Sequence, residues 1–244
     1  MSPATPYYRR DLALVHHLGF GFHADACAPG ILALLEPVRA RGGLVLEFGC
    51  GSGLLTRYLV EAGHRVVATD ASPAMLELAR ETAPGAETIE LLRLPDDPIP
   101  SADAIVAIGH PISYLDEEAD IDRALVALAR ALRPGGTLAI DICDLSWGSQ
   151  WTAESSGRVG EAWAIVTRYS RPTPQKFIRD MTTFLRHDDD TWHRADEHHE
   201  NVLVDTSRLP SLLAPEGLTA HVGTSFGTET LPAGLHTLIA TRPD

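Results

Sequence analysis

Lysine is almost missing from this sequence. Of its 20 basic residues only Lys176 is Lys, and they face 33 acidic residues, leaving a formal net charge of −13. Nucleic-acid partners are usually met by a basic face, so this balance argues against one. Cysteine is scarce too: Cys27, Cys50 and Cys143 lie far apart with no CxxC spacing. Neither a disulfide framework nor a sulfur-bound zinc is suggested, and isolated thiols suit a reducing compartment. No run approaches the roughly 18 apolar residues of a membrane span. Arg9 and Arg10 lack the apolar stretch that would follow them in a signal peptide, so a cytoplasmic protein without a membrane partner is expected. His187, His193, His198 and His199 are crowded, but no HExxH or close carboxylate–histidine triad accompanies them, and no metal is expected.

What is present is an ordinary globular composition, 44% apolar and 22% charged over 244 residues. That bounds the chain to one domain, or one domain with an insertion. Helical periodicity over Ala24–Arg41 ends at Gly42-Gly43, and the apolar run Leu44–Phe48 predicts a buried parallel strand. A helix over Leu54–Ala62, a strand over Arg65–Thr69 ending at Asp70, and a helix capped by Ser72 with Pro73 at its first position follow. Further strands are predicted at Thr88–Leu94, Asp103–Ile108 and Thr137–Ile142. A helix over Glu117–Leu132 is stopped by Pro134-Gly135-Gly136. This alternation predicts an α/β fold, a parallel sheet with helices on both faces.

After Asp144 the rhythm changes. Trp163–Ser170, Phe177–Leu185 and Trp192–Val204 alternate in polarity, separated by Pro172-Thr173-Pro174 and by Asp188–Asp190, and predict an inserted antiparallel sheet. A helix over Ser207–Ala214 and strands at Leu218–Gly223 and Gly234–Thr241 return the chain to the core. The whole, 1–244, reads as one domain: an N-terminal segment 1–23, a core over 24–145, an insertion over 146–204 and a return over 205–244.

The segment Val45–Gly53, VLEFGCGSG, is a glycine-rich strand-to-helix turn. Glycines there let a ligand lie against bare backbone, and the helix that follows attracts polar groups. Nucleotide-binding folds share such turns, NAD-binding ones included. Here the spacing is GxGxG. Glu47 precedes the glycines, where it would repel a pyrophosphate but can hold an amino group. Asp70 follows 17 residues after Gly53, where a carboxylate can take ribose hydroxyls. The pair suits a cationic nucleoside-amino acid better than a dinucleotide.

On these residues the sequence resembles the class I S-adenosylmethionine-dependent methyltransferases, whose first motif matches VLEFGCGSG. Their second strand matches VVATDAS at 66–72, and their fifth-strand motif matches LRPGGTLAIDI at 132–142. The resemblance implies a Rossmann-like sheet and S-adenosyl-L-methionine as cofactor. Gly49, Cys50, Gly51 and Gly53 would lie by its methionine part, Asp70 by the ribose, and Ala71, Met75 and Arg93 or Leu94 by the adenine. Gly109 would lie beyond the fourth strand on the methyl side. That loop, GHPISYL, would bring His110 and Tyr114 to the acceptor.

Two other segments bear on the acceptor. Tyr7, Tyr8, His16, His17, Phe20 and His23 are too dense for a disordered tail. They read either as a lid over cofactor and substrate or as a helix packed on the domain. The insertion resembles that of amino-sugar N-methyltransferases, with His199 and His198 on opposite strand faces. A small-molecule acceptor follows, methylated on N or O by in-line displacement, with His110, His199 or His16 as base or orienter and Tyr114 as positioner. A regulatory protein of the same fold, an RNA or protein methyltransferase and an NAD-dependent oxidoreductase are the rival readings. Acidic charge and the absence of a (D/N)PPY-like tetrad disfavour RNA. Oligomeric state stays open, a homodimer included.

Overall fold

The computed structural model describes residues 7–149, 151, 154–187 and 190–244. Five parallel strands form its centre: β1 (Leu44–Phe48), β2 (Arg65–Asp70), β3 (Thr88–Leu91), β4 (Ala102–Ala107) and β5 (Leu132–Cys143). Strands β1 and β4 are almost wholly buried, which is why they read as continuous apolar runs rather than as alternation. The sheet order is β10-β11-β5-β4-β1-β2-β3. Here β10 (Thr219–Gly223) and β11 (Leu235–Thr241) are the C-terminal strands, and β11 runs antiparallel to β5. The chain winds outward from β1 to β3 and then crosses back to β4, so the crevice at the carboxyl ends of β1 and β4 is the switch point where open α/β sheets bind ligands.

Helices cover both faces. On one lie α2 (Phe22–Ala40) and α3 (Leu54–Glu61), with Ile31, Leu35, Leu55 and Leu59 buried against the strands. On the other lie α5 (Glu118–Ala131) and the short α6 (Leu209–Leu213), through Leu125, Leu128, Leu209 and Leu213. Helix α4 (Pro73–Thr82) starts as its sequence dictates, with the Ser72 hydroxyl accepting from Met75 N at 3.2 Å and Pro73 in the first turn.

A second sheet of four antiparallel strands stands apart: β6 (Ser155–Val159), β7 (Trp163–Thr173), β8 (Lys176–Arg186) and β9 (Trp192–Val202). Its inner face presents Trp163, Ile165, Met181 and Leu185, and helix α1 (Arg10–Gly19) buries Leu12 and Val15 against them. Helix α1 also packs on α4. It therefore bridges the insertion and the core.

Several boundaries differ from the sequence expectation. Helix α2 begins at Phe22 and accommodates Pro29 and Pro37. Strand β3 stops at Leu91, so Arg93 and Leu94 lie beyond it. Strand β5 already begins at Leu132 and passes through Pro134-Gly135-Gly136, its pairing with β4 shifting between Ala102 and Ala104, as at a bulge. Strand β6 was not anticipated: all five of its residues are exposed at a sheet edge and carry no apolar alternation. The helix over Ser207–Ala214 contracts to α6, flanked by 3-10 turns at Thr206–Arg208 and Ala214–Glu216. Of the acidic turn, Asp188 and Asp189 lie outside the described residues. Among the described residues no single helix is long and apolar enough to cross a membrane; α1 and α2 reach that length only together, across a 67° bend.

Candidate active site

The glycine loop follows β1, with Gly49, Gly51 and Gly53 all at positive φ. Their surroundings differ. A Cβ on Gly49 would come within 2.3 Å of Pro111, and one on Gly53 within 3.0 Å of Ala79 in α4. Those two glycines are needed for packing. At Gly51 a Cβ would meet nothing closer than Met75 Sδ at 4.0 Å, and at Gly109, also at positive φ, nothing within 4 Å. So two bare backbone positions, at the ends of β1 and β4, open onto the switch-point crevice. Cys50 is buried and donates its N–H to Thr69 O at 2.9 Å.

Asp70 closes β2 and accepts from Gly51 N and Ser72 N, each at 2.8 Å. Burial raises its carboxyl, against the pull of these amides. Two bonds leave lone pairs free for hydroxyl donors. Glu47, 1% exposed, lies beneath the loop and accepts from Thr56 Oγ at 2.7 Å. Burial, opposed by that bond and reinforced by the Asp70 charge, lifts it to about 8. Met75 is buried and Ala71 exposed beyond β2. Beyond β3, Leu92 N donates to Asp70 O at 3.2 Å, so Leu92 is the residue tied to the end of β2. Arg93 is exposed and its N–H goes to Asp97, while Leu94 is half-buried. Bare backbone at Gly51, spare acceptor capacity at Asp70 and an acid held under the loop fit a cationic nucleoside-amino acid.

The other side of the crevice is organised by a residue that pattern reading passed over. Asp141 of β5 is fully buried; it accepts from Gly109 N at 2.9 Å and His110 N at 2.5 Å, and His23 Nε2 of α2 donates to it at 2.7 Å. These bonds hold the turn after β4, where His110 sits at φ 51°. Burial pushes His23 down, but the bond and charge of Asp141 outweigh it and its net shift is upward.

All four side chains singled out for the acceptor converge beyond this turn. His110 stacks on Tyr114 with ring centroids 5.7 Å apart, and Tyr114 meets His199 edge-on at 5.6 Å. Tyr8 joins them, 4.9 Å from His199 and 5.1 Å from His16, with its hydroxyl 2.9 Å from that of Tyr114. Tyr7 closes the ring at 4.6 Å from His199. The alternation of β8 and β9 delivers the rest of the wall: Arg179 Nη2 donates to Tyr114 Oη and, at 3.3 Å, to Asn201 Oδ1. Inside, His199 Nε2 donates to Glu197 Oε2 at 3.0 Å, while Arg9 N donates to the other oxygen of Glu197 at 2.9 Å.

Electrostatics sort these groups. Burial, then the Arg179 charge, lowers His110 to about 3 and His16 to about 4. Burial also lowers His199, although Glu197 pulls back. Tyr114 is driven well above its ordinary value by burial. The cluster is thus neutral imidazoles and phenols around one guanidinium. His198, by contrast, faces outward onto Asp180 and Glu200. His187 and His193 lie ring to ring at 5.8 Å, and His193 pairs with Asp11.

The N-terminal segment reaches both halves of the crevice. Tyr8 O accepts from Ser72 Oγ at 2.7 Å, and His17 Nδ1 is 2.9 Å from Ser52 Oγ in the glycine loop. Sequence reasoning missed Asp141, Arg179, Glu197 and Asn201. Only strand alternation, which puts Arg179 in line with Phe177 and Met181, could have raised Arg179.

A methyltransferase-domain family model matches residues 45–136. An uncharacterised methyltransferase of Mycobacterium tuberculosis is 33% identical over 188 residues, covering 73% of this chain and 70% of that protein. Among solved structures, an S-adenosylmethionine-dependent methyltransferase from Clostridium acetobutylicum superposes with a TM-score of 0.80 at 16% identity, over 95% of this chain and 98% of the other. A sugar N-methyltransferase from Streptoalloteichus sp. gives 0.79 at 19% identity, over 100% and 98%.

Proposed function

The chain belongs to the S-adenosylmethionine-dependent methyltransferase family, and on that premise we propose that it methylates a nitrogen or oxygen of a small-molecule acceptor held against His110, Tyr114 and His199. The observation that carries this reading is the convergence of side chains from the N-terminal segment, the turn after β4 and the inserted sheet on one buried polar cluster. The sugar-methylating structural neighbour is consistent with a small acceptor. In this reading segment 1–23 is the lid, 24–145 with 205–244 the catalytic frame, and 146–204 the acceptor wall.

When bound, S-adenosylmethionine supplies an already activated methyl group on a sulfonium, so the protein's part is chiefly alignment and exclusion of water. Gly51, Asp70, Met75 and Gly109 would hold it, and Glu47 would face its ammonium. On the acceptor side His199 has the arrangement of a base with an orienting partner. Glu197 accepts a hydrogen bond from Nε2–H, fixing the tautomer in which Nδ1 is bare, and that Nδ1 has no other partner. The backbone of Arg9 anchors Glu197, so closing the lid and setting the base use one carboxylate. Tyr114 stays protonated and positions the acceptor. His110 and His16 are neutral and weakly basic beside Arg179, which suits them to accept a hydrogen bond rather than a proton.

The test is release of S-adenosylhomocysteine with a panel of amino sugars, phenols and amino acids, using His199→Ala, Tyr114→Phe, His110→Ala and His16→Ala. His199→Ala should lose about a hundredfold or more in turnover, as removal of a general base does, with S-adenosylhomocysteine affinity intact. Unchanged turnover in all four variants, or cofactor binding with no transfer to any acceptor, would sink the reading.

A further inference from the structure

One wall of the acceptor cluster holds several buried hydrogen-bond donors without partners. Arg179 gives one nitrogen, Nη2, to Tyr114 and Asn201, but its Nε–H is buried without a partner. Asn201, fully buried, uses its oxygen for Arg179 and leaves Nδ2 unpaired, and buried Trp147 leaves Nε1 unpaired. These groups lie along one wall. Phe177 and Arg179 follow each other on the inner face of β8, Phe177 pairs with Asn201 in register, and Trp147 packs on Phe177 at 6.2 Å.

The charge is uncompensated as well. Among the described residues Arg179 has no carboxylate partner, and its other neighbour is the Tyr114 ring, 5.5 Å from the guanidinium carbon. Both nearby carboxylates are already matched. Glu197 is engaged by His199 and Arg9, and Asp141 by two backbone amides and His23. A buried guanidinium without a counter-ion, flanked by unpaired N–H groups, is costly unless a ligand completes it. A neutral hydroxyl could pair with one donor; only an oxyanion both pairs with several and cancels the charge.

We propose that Arg179, Asn201 and Trp147 form an oxyanion subsite, and that the acceptor carries a carboxylate or phosphate group seated there while its nucleophile lies toward His199. This rests on the methyl-transfer reading above and names the acceptor's class within it. The subsite sets specificity through charge, in a chain whose overall charge of −13 would otherwise repel such a substrate.

The experiment is calorimetric binding to the full chain saturated with S-adenosylhomocysteine, using two matched pairs: benzoate against benzamide, and phenyl phosphate against phenol. The anion of at least one pair should bind about tenfold or more tightly than its neutral partner, and which pair responds distinguishes carboxylate from phosphate. Arg179→Gln should erase the preference with S-adenosylhomocysteine affinity unchanged, while Arg179→Lys keeps a weaker preference. Equal binding of charged and neutral partners, no binding of either anion, or a preference that survives Arg179→Gln overturns the subsite. The wild-type comparison decides even if Arg179→Gln fails to fold. Because the readout is binding, methyl transfer that persists without an anion preference overturns the subsite alone. Failure to bind S-adenosylhomocysteine or to transfer methyl overturns the reading beneath it.

Discussion

Substituting alanine at Gly49 and at Gly51 separates packing from ligand contact within one loop. Both residues hold positive φ, 64° and 54°, and an alanine there costs about 1–2 kcal/mol in backbone strain. At Gly51 the cost ends there, since the new methyl enters open space. At Gly49 the methyl would sit 2.3 Å from Pro111 Cβ, adding about 1–3 kcal/mol of overpacking. For a domain of this size each kcal/mol shifts the melting temperature by roughly 2–4 °C. Gly51→Ala should therefore melt about 2–8 °C below wild type, and Gly49→Ala about twice as far below it or more. Binding should reverse the order. If the cofactor lies against Gly51 as proposed, the methyl of Gly51→Ala takes up its space, and affinity for S-adenosylhomocysteine should fall about tenfold or more. Gly49→Ala displaces Pro111 and with it His110 and Tyr114, so its loss should fall mainly on turnover. Thermal denaturation and calorimetry of the two proteins provide the check. Equal melting losses, or wild-type affinity in Gly51→Ala, would refute the assignment of the two glycines.

Glu47 gives a pH prediction. Its carboxyl stands at about 8 when folded against an ordinary 4.5, so between these values the folded state holds a proton that the unfolded state has lost. Its contribution to stability is present below the unfolded value and is lost as pH rises through 8, with an upper bound of about 5 kcal/mol. Glu47→Gln should flatten the melting temperature across that window. A cationic ligand would lower the carboxyl, so S-adenosylmethionine binding should release a proton and tighten from pH 6 to 8 in the wild type only; affinity independent of pH would count against Glu47 as the ammonium partner. Asp141→Asn should loosen the Gly109–His110 turn and cost about 1–3 kcal/mol of stability, with turnover reduced more than cofactor affinity. Equal losses in both would make Asp141 merely structural. Glu197→Gln keeps the shape but not the charge behind His199, and should cut turnover about tenfold or more while moving the acidic arm of the pH–rate profile, where His199 takes up its proton, to lower pH; an unmoved profile would exclude it as the orienter.

The repetitive part of the fold was legible because it obeys local rules. Strand β1 is an apolar run closed by glycines, Ser72-Pro73 starts a helix, and the alternation of β7 to β9 follows their half-buried faces. Strand β6 was illegible for the same reason: its pairing with β7 is made by backbone alone, and exposed side chains carry no period. Strand β5 begins before the Pro-Gly-Gly break because a bulge absorbs the irregularity, which no local signal announces.

For the site, the spacing of Glu47, the glycines and Asp70 favoured a cationic nucleoside-amino acid over a dinucleotide, since those residues lie on adjoining elements, and the resemblance of these motifs to the methyltransferases supplied the cofactor. The acceptor side follows a different logic. His16, His110, Tyr114 and His199 could be named as chemically able residues, but that they share one cluster is decided by α1 bridging two sheets and by the β8–β9 register that sets Arg179 opposite His199. Glu197 reaches His199 from two places back on the same strand, but its anchoring by the Arg9 amide, and the want of a carboxylate for Arg179 among the described residues, exist only once distant segments are packed together. Motifs local in the chain carry the fold and, through their resemblance, the methyl donor; the placing of the Arg179 charge beside Tyr114, with no carboxylate partner among the described residues, depends on packing between distant segments.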